Sequence, residues 1–416
     1  MFTIPENTKI TPQLAVKFIL KHELGNERLD RLYNYYIGEH GILSRTKDRN
    51  AANNRLVCNH AKYITDCTTG YFLGSPVRYV SMSDKDISAI RNVLKRCDSD
   101  TEDIDLARYG SIFGVSYEML YMTADAEIML VSLDPRYAFV VYDDTVQQKP
   151  LFGVYYTPIG DGNGYRTGYR VYLCDRSTIC EFTASPSFAV LNVSEPTEHY
   201  FGDVPVIEYY NNWDKQGDFE QVTTLIDAYN TLQSDRVNDK EQFVDSLLVI
   251  KGQILGDTEE EEKDTFNAIK KYGVMTMDDT GDAKWLTRQF DESAVDILRR
   301  SLESDIHKFS GVPCLSDESF SGNSSGVAMK YKLLAFEQMT KIKERYFSEG
   351  LRIRLGLIAN ALSVLGYSVP DVSDIRIVFT HNLPENETEI AQTVNLLKDI
   401  IPQDKLIKLL PYDISE

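Results

Sequence analysis

The sequence predicts an α+β protein, on three observations. Apolar residues recur at helical spacing near the N-terminus, short alternating runs between turn signals fill the middle, and long helical stripes return after residue 219. The 416 residues carry 43% apolar and 26% charged side chains, the balance of an ordinary globular chain with room for two or three compact units.

Residues 12–72 read as helical, with Leu14, Phe18, Ile19, Leu24, Leu29, Leu32, Tyr35 and Tyr36 near helical spacing. Gly38 and Gly41 break the pattern, and Asn53-Asn54-Arg55 opens a second helix through Ile64, Cys67 and Tyr71. Residues 104–122 fit a helix running into a strand, with Gly110 and Gly114 permitting close backbone approach. Between 127 and 210 the runs IMLVSL, AFVVYD, LFGVYYT, YRVYLC, ICEFTA and VPVIEYY alternate with turns at Asp134-Pro135, Asp143-Asp144 and 160–164, which predicts an antiparallel meander.

From 219, the stripe Val222, Leu225, Ile226, Tyr229, Leu232, Val237, Phe243 and Leu247 predicts a helix over 219–246, roughly 42 Å long. LLVIKG and YGVMTM read as strands around an acidic helix over 257–271. Val295, Leu298, Leu302, Ile306 and Phe309 mark a returning helix that stops at Gly311-Val312-Pro313. A Ser/Gly/Asp loop then leads into a long helix, from about 325 toward Leu365, with Gly350 and Gly356 as kink points. IRIVFT (375–380) reads as a strand and 386–410 as helical, broken at Pro402.

Composition excludes several classes. The net charge of −19, from 44 basic and 63 acidic residues, opposes tight whole-surface binding to nucleic acid. It permits DNA to slide past, because repulsion between an acidic wall and phosphate is screened over about 10 Å at 0.1 M salt. Plain solubility explains the same balance. No apolar run reaches the roughly 18 residues of a transmembrane helix, so no membrane partner is expected. The start MFTIPENTKITPQ lacks the basic-then-apolar order of a secretion signal. Six cysteines without a C-x-x-C pair read as free thiols of a reducing compartment.

Chemistry is scarce. No G-x-x-x-x-G-K-[ST] motif occurs, which excludes a P-loop ATPase. Gly160-x-Gly162-x-Gly164 lacks a following helix and reads as a hairpin turn rather than a nucleotide fingerprint. The six histidines lack paired metal spacing and read as structural. Consecutive Glu259, Glu260, Glu261 and Glu262 point in different directions on a helix and form no metal cage, although their place at its start suits the helix dipole. They read, with Asp257, as a solvated, partner-facing patch, because 257–282 holds nine acidic and three basic residues for a net −6. The opposite imbalance lies at 327–354, where Lys330, Lys332, Lys341, Lys343, Arg345, Arg352 and Arg354 outnumber Glu337, Glu344 and Glu349 for a net +4. A solvated face with i,i+4 pairs such as Glu337–Lys341 accounts for it, unless rotational symmetry multiplies each charge into a belt that phosphates would meet. No catalytic residues, metal ligands or cofactor are expected.

The run SGNSSGVAMKYKLLAFEQ resembles the segment joining stem and wing in portal proteins (head-to-tail connectors) of long-tailed double-stranded-DNA phages. LYNYYIGEHGI, NNRLVCNHAKYITDCTTGYFLGSPVRY, YNNWDKQGDFEQVTTLIDAYNTLQSD and LLVIKG resemble the same family, in the correct order. The resemblance implies a portal fold with long stem helices, an α/β wing, a small α/β clip and a helical crown. Its segments are the wing at 1–218, stem helices at 219–246 and 291–310, and the clip at 247–290. A tunnel loop follows at 311–325, then a long kinked helix with a wing strand at 326–385, and a crown at 386–416 that stops short where relatives continue.

It further implies a ring, dodecameric in mature particles, at one capsid vertex of a virion assembled in the host cytoplasm. The ring would conduct double-stranded DNA transiently and without sequence preference, and would dock terminase, head-tail adaptor, scaffold and major capsid proteins. The DNA-facing element would be Asp317, Glu318, Ser319, Phe320, Ser321, Gly322, Asn323, Ser324 and Ser325, with Lys330 close behind. Two other classes stay open at this point. A carboxylate-metal nuclease of the packaging machinery would converge acidic residues on a divalent ion, and a helical interaction scaffold would be non-annular.

Overall fold

The computed structural model describes residues 2–48, 51–162, 165–243, 247–251, 258–272, 282–286, 292–315, 326–381 and 395. They fall into two compact units. The first comprises Met1–His40, Asn59–Ile226 and Ser304–Glu416; the second comprises Gly41–Cys58 and Asp227–Glu303.

The first unit opens with β1 (Phe2–Ile4) and α1 (Pro12–Ile37). The Thr11 hydroxyl accepts the Leu14 N–H at 3.2 Å, and Pro12 occupies the first turn, where its missing N–H costs nothing. Gly38, with φ +92°, ends the helix. α2 (His60–Leu73), β2 (Arg78–Ser81), α3 (Ser88–Arg96) and α4 (Ser99–Phe113) follow, then the strands β3 (Val115–Met122), β4 (Ile128–Leu133), β5 (Ala138–Asp143), β6 (Pro150–Gly160) and β7 (Arg166–Cys174). β8 (Thr178–Ala184), β9 (Val190–Val193), β10 (Thr197–Glu198) and β11 (Val206–Tyr210) complete the strand-rich part.

The expected meander exists but does not make one sheet. β5, β6, β7 and β8 pair antiparallel in sequence order, as the alternation predicts. β3 and β4 turn away at Asp134-Pro135 and form a separate sheet of order β11-β3-β4. The large sheet gains β1, which pairs parallel with β5, a contact between chain segments too distant for local patterning to reveal. Gly160 ends β6 and β7 starts at Arg166, so the glycine-rich run does close a hairpin.

Among the described residues, three apolar clusters hold this unit. Ala15, Val16, Phe18 and Ile19 of α1 pack on Phe139, Phe152, Val154 and Tyr156 of the large sheet. Leu24, expected on that stripe, is 85% exposed. Tyr117 and Met119 of β3 face Ala138, Val140 and Val206, joining the two sheets. There a Cβ on Gly153 would stand 2.4 Å from that of Val206, so only glycine permits the approach. The other face of β3 and β11, with Leu120, Ile207 and Tyr209, packs under helices.

In the second unit, α5 (Thr223–Phe243) enters from the first, β12 (Leu247–Lys251) follows, and then come α6 (Glu259–Tyr272), β13 (Asp282–Leu286) and α7 (Glu292–Ser310). β12 and β13 pair antiparallel, so the expected LLVIK strand is present. The YGVMTM strand lies outside the described residues apart from Tyr272, which closes α6. The helix expected to open at Asn53-Asn54-Arg55 does not. Asn59 caps α2 through the Lys62 N–H, and the preceding residues run irregularly beside α5. The N–H groups of Asn54, Leu56 and Cys58 donate to Asn238 Oδ1, Ser234 Oγ and Asn230 Oδ1 at 2.6, 2.9 and 2.8 Å. Polar residues four apart on a helix thus take the place of a neighbouring strand. Asp235 on the same helix binds Arg45 and Lys47, each at 2.9 Å.

Returning to the first unit, α8 (Gly326–Val364) is one unbroken helix of 39 residues, and β14 (Ile375–Val378) pairs antiparallel with β2. The strand expected over 375–380 is therefore present and shorter, while the helix expected over 386–410 lies outside the described residues, save 395. Gly350, expected as a kink point, instead makes room for a ring: its Cβ would stand 2.3 Å from Tyr209.

His22 on α1 hydrogen-bonds the Tyr156 hydroxyl at 2.8 Å among Phe2, Phe139 and Tyr156, and burial lowers its pKa to about 4. The unfolded chain binds a proton near pH 6.5 that the folded chain refuses until about pH 4. Stability from this residue is therefore complete above pH 6.5 and is lost as pH falls toward 4, by up to roughly 3 kcal/mol. Urea midpoints taken between pH 7.5 and 4.5 should fall less steeply for His22→Phe than for the unmodified protein; parallel curves would show that the residue is not held neutral.

Candidate functional site

The expected DNA-facing residues Asp317, Glu318, Ser319, Phe320, Ser321, Gly322, Asn323, Ser324 and Ser325 lie outside the described residues, as does Asp257. Lys330 falls in the second turn of α8, placed by its backbone. Glu259–Glu262 form the first turn of α6 and are exposed, with Glu259 reaching Lys263 at 3.1 Å. The charged patch thus lies at the positive end of a helix, as its sequence position implies.

What the structure defines sharply is the stretch 311–315, which leads into those residues. α7 ends at Ser310, and Gly311 follows with φ +71°. A Cβ there would stand 2.1 Å from Met339 Sδ of α8, so both backbone shape and space demand glycine. Val312 is buried, and its carbonyl accepts from His307 Nδ1 at 2.9 Å. The Tyr63 hydroxyl, from α2, donates to the Pro313 carbonyl at 3.1 Å and accepts the Leu315 N–H at 2.9 Å. Its ring stands edge-on to His307, 5.5 Å between centroids. Burial is the main cause that pushes the Tyr63 phenol up to about 12, so it stays protonated.

On the C-terminal side of the same segment α8 begins at Gly326, and the structure redistributes the charges of that helix. Lys341 pairs with Glu337 at 2.7 Å, as the spacing predicts. Lys343 and Arg354 belong to no solvated face. Lys343 is buried and meets Asp218, which also accepts from Ser111 Oγ at 2.6 Å and Asn211 Nδ2 at 2.9 Å. Arg354 is fully buried; its Nε donates to Glu118 Oε2 at 2.8 Å. Its Nη2 lies 2.6 Å from Asp103 and 2.7 Å from Glu118 Oε1. Tyr209 adds a hydrogen bond to Glu118 at 2.7 Å. Burial outweighs the pull of Arg354 on Asp103 and raises its pKa to about 6. The net +4 of 327–354 is therefore no continuous positive face: Arg345 and Arg352 are exposed, while Lys343 and Arg354 neutralise carboxylates inside the fold.

Sequence reading missed Asp103, Glu118 and Asp218 as partners. Glu118 does carry a signal, a single charge amid the apolar run SYEMLYM, and such a charge in a buried strand requires a counter-ion. Tyr63 carries none, since its partners lie some 250 positions away.

Residues 17–413 match the family model described as "Phage portal protein, SPP1 Gp6-like". The portal protein of Bacillus phage SPP1 is 23% identical over 364 residues, which cover 83% of this chain and 70% of that protein. The portal protein of Clostridium phage phiCD119 is 27% identical over 226 residues, 53% of this chain and 48% of that protein, so the match spans about half the length of that relative. A solved chain from the neck of a native gene transfer agent particle, computed with C12 symmetry, is similar at a TM-score of 0.49 and 11% identity, over 85% of this chain and 90% of that one.

Removing the buried guanidinium leaves two enclosed carboxylates without a counter-ion. Arg354→Met should lower the unfolding free energy by about 3–5 kcal/mol, read as a shift in urea midpoint. Lys341→Met, which breaks only an exposed pair, should leave the midpoint almost unchanged. Equal midpoints for the two variants would contradict the assignment of Arg354 as the internal counter-ion.

Proposed function

This chain belongs to the phage portal protein family, and we propose that it is one subunit of a ring at a single capsid vertex that forms the channel for genome packaging and ejection. The observation that carries the reading is the family match across residues 17–413, nearly the whole chain. Exposed apolar side chains in the isolated chain support ring assembly: Ile297, Leu298 and Phe309 on α7, and Tyr331, Ile342 and Ile353 on α8. Helices that leave such faces uncovered pack against neighbours.

The role is structural and mechanical, without chemistry of its own. The ring is dodecameric in the virion, and double-stranded DNA passes through it transiently and in any sequence. Residues 317–325 face that DNA, with Lys330 offering weak, salt-sensitive guidance. The acidic first turn of α6 faces proteins, because it repels phosphate and attracts a basic motor or adaptor surface. Terminase docks during packaging and the head-tail adaptor afterwards, while scaffold and major capsid proteins meet the ring during procapsid assembly.

Negative-stain images of the purified protein should show rings with a central hole; monomers alone, at high concentration and in several salts, would sink the reading. Shortening 318–324 should permit ring and capsid assembly yet impair packaging or retention of DNA, and packaging of full-length genomes at the unmodified rate would return the segment to a passive linker. Replacing Glu259–Glu262 by lysine should leave rings intact and weaken motor-dependent packaging; unchanged packaging together with unchanged adaptor attachment would remove α6 from the partner surface.

A further inference from the structure

We infer that Tyr63 is the positioning residue that fixes the backbone of 313–315, which leads into segment 316–325, acting as a one-residue substitute for a parallel strand. The inference rests on the portal reading of 317–325 and adds a determinant from a distant helix.

The hydrogen-bond pattern carries it. A residue in a parallel strand donates its N–H to the carbonyl before its opposite number and accepts the N–H after it. The Tyr63 hydroxyl does both at once to the peptide groups flanking Cys314: it donates to the Pro313 carbonyl and accepts from the Leu315 N–H. One oxygen therefore fixes the position and the direction of the chain at its last described residue before the segment. Leu315 is 53% exposed, so its side chain supplies little anchoring, and the backbone bonds have to do so. The phenol stays a donor across the working pH range, because its pKa is pushed up to about 12.

Upstream, the same short stretch is held by two further elements. Met339 of α8 stands where any side chain on Gly311 would go, and His307 of α7 binds the Val312 carbonyl at 2.9 Å. The Tyr63 ring lies against His307, which orients the hydroxyl. Residues 311–315 are thus gripped by α2, α7 and α8, and Tyr63 is the grip nearest the segment.

Tyr63→Phe keeps the ring packing and removes only the hydroxyl. In hydrogen exchange on the intact purified protein, the Leu315 amide should lose protection by about fivefold or more, while amides in the middle of α4 are unchanged. In packaging assays the same variant should form normal rings yet show reduced DNA packaging or retention. Leu315→Pro removes the same bond from the other side, and the double variant should package no worse than the poorer single variant, since both remove one interaction. Unchanged Leu315 protection in Tyr63→Phe overturns the clamp. Lost protection with packaging and retention at the unmodified level overturns its role in positioning the segment. If the unmodified protein forms no ring, the portal reading fails by itself, and the exchange result still decides whether Tyr63 holds 313–315.

Discussion

Arg354 is enclosed by protein on every side, and a guanidinium that cannot reach water must find its compensation locally. It does so on two elements at once, Asp103 from α4 and Glu118 from β3. One turn earlier on α8, Gly350 admits the face of Tyr209 from β11, and the hydroxyl of that tyrosine returns to Glu118. Three constraints therefore coincide within two turns of a helix about 58 Å long. Apolar packing alone would tolerate sliding by a turn, since leucines and isoleucines follow one another along α8. A charge that fits one place only does not, and sliding would strand two carboxylates. Lys343 and Asp218 repeat the device three turns away, so the helix is pinned at two separated points and its direction is set as well as its position.

Much of this architecture is written in the sequence at the scale of a single element. Phe18, Ile19, Leu29 and Leu32 announced α1, and the alternating runs announced β5 to β8, because each pattern is local and each face is buried against one neighbour. Failures came where the decisive partner is far away. β1 joins the large sheet beside β5, more than 130 positions on. Asn54 looked like a helix start and is instead committed to Asn238. Polar residues announce caps and turns in isolation, and only the fold reveals that they serve a distant backbone.

The Ser/Gly-rich run and the four consecutive glutamates are conspicuous by composition: the glutamates open α6, and the run is bracketed by the end of α7 and the start of α8. The charges of α8 were misread as a set because a net sum treats every lysine and arginine as solvated. Burial divides them: Arg345 and Arg352 face outward, while Lys343 and Arg354 are structural. Phe347, Leu351, Leu355 and Ile358 form a buried stripe at helical spacing, and both buried cations lie close to it, which is where a counter-ion search would begin.

The contact between residues 54–58 and α5 has the character of a vernier. Four residues of helix advance about 6.0 Å and two residues of extended chain about 6.6 Å, so the rungs at Asn230, Ser234 and Asn238 fall nearly level with the amides of Cys58, Leu56 and Asn54. The two scales drift apart by about 0.6 Å per rung, and a few more would exhaust the tolerance of a hydrogen bond. The pairing is therefore self-limiting in length. It is also intolerant of counting errors: deleting one residue between 54 and 58 carries amides off their acceptor oxygens. Connecting segments usually absorb a lost residue at small cost, whereas this one is gauged to the pitch of the helix beside it.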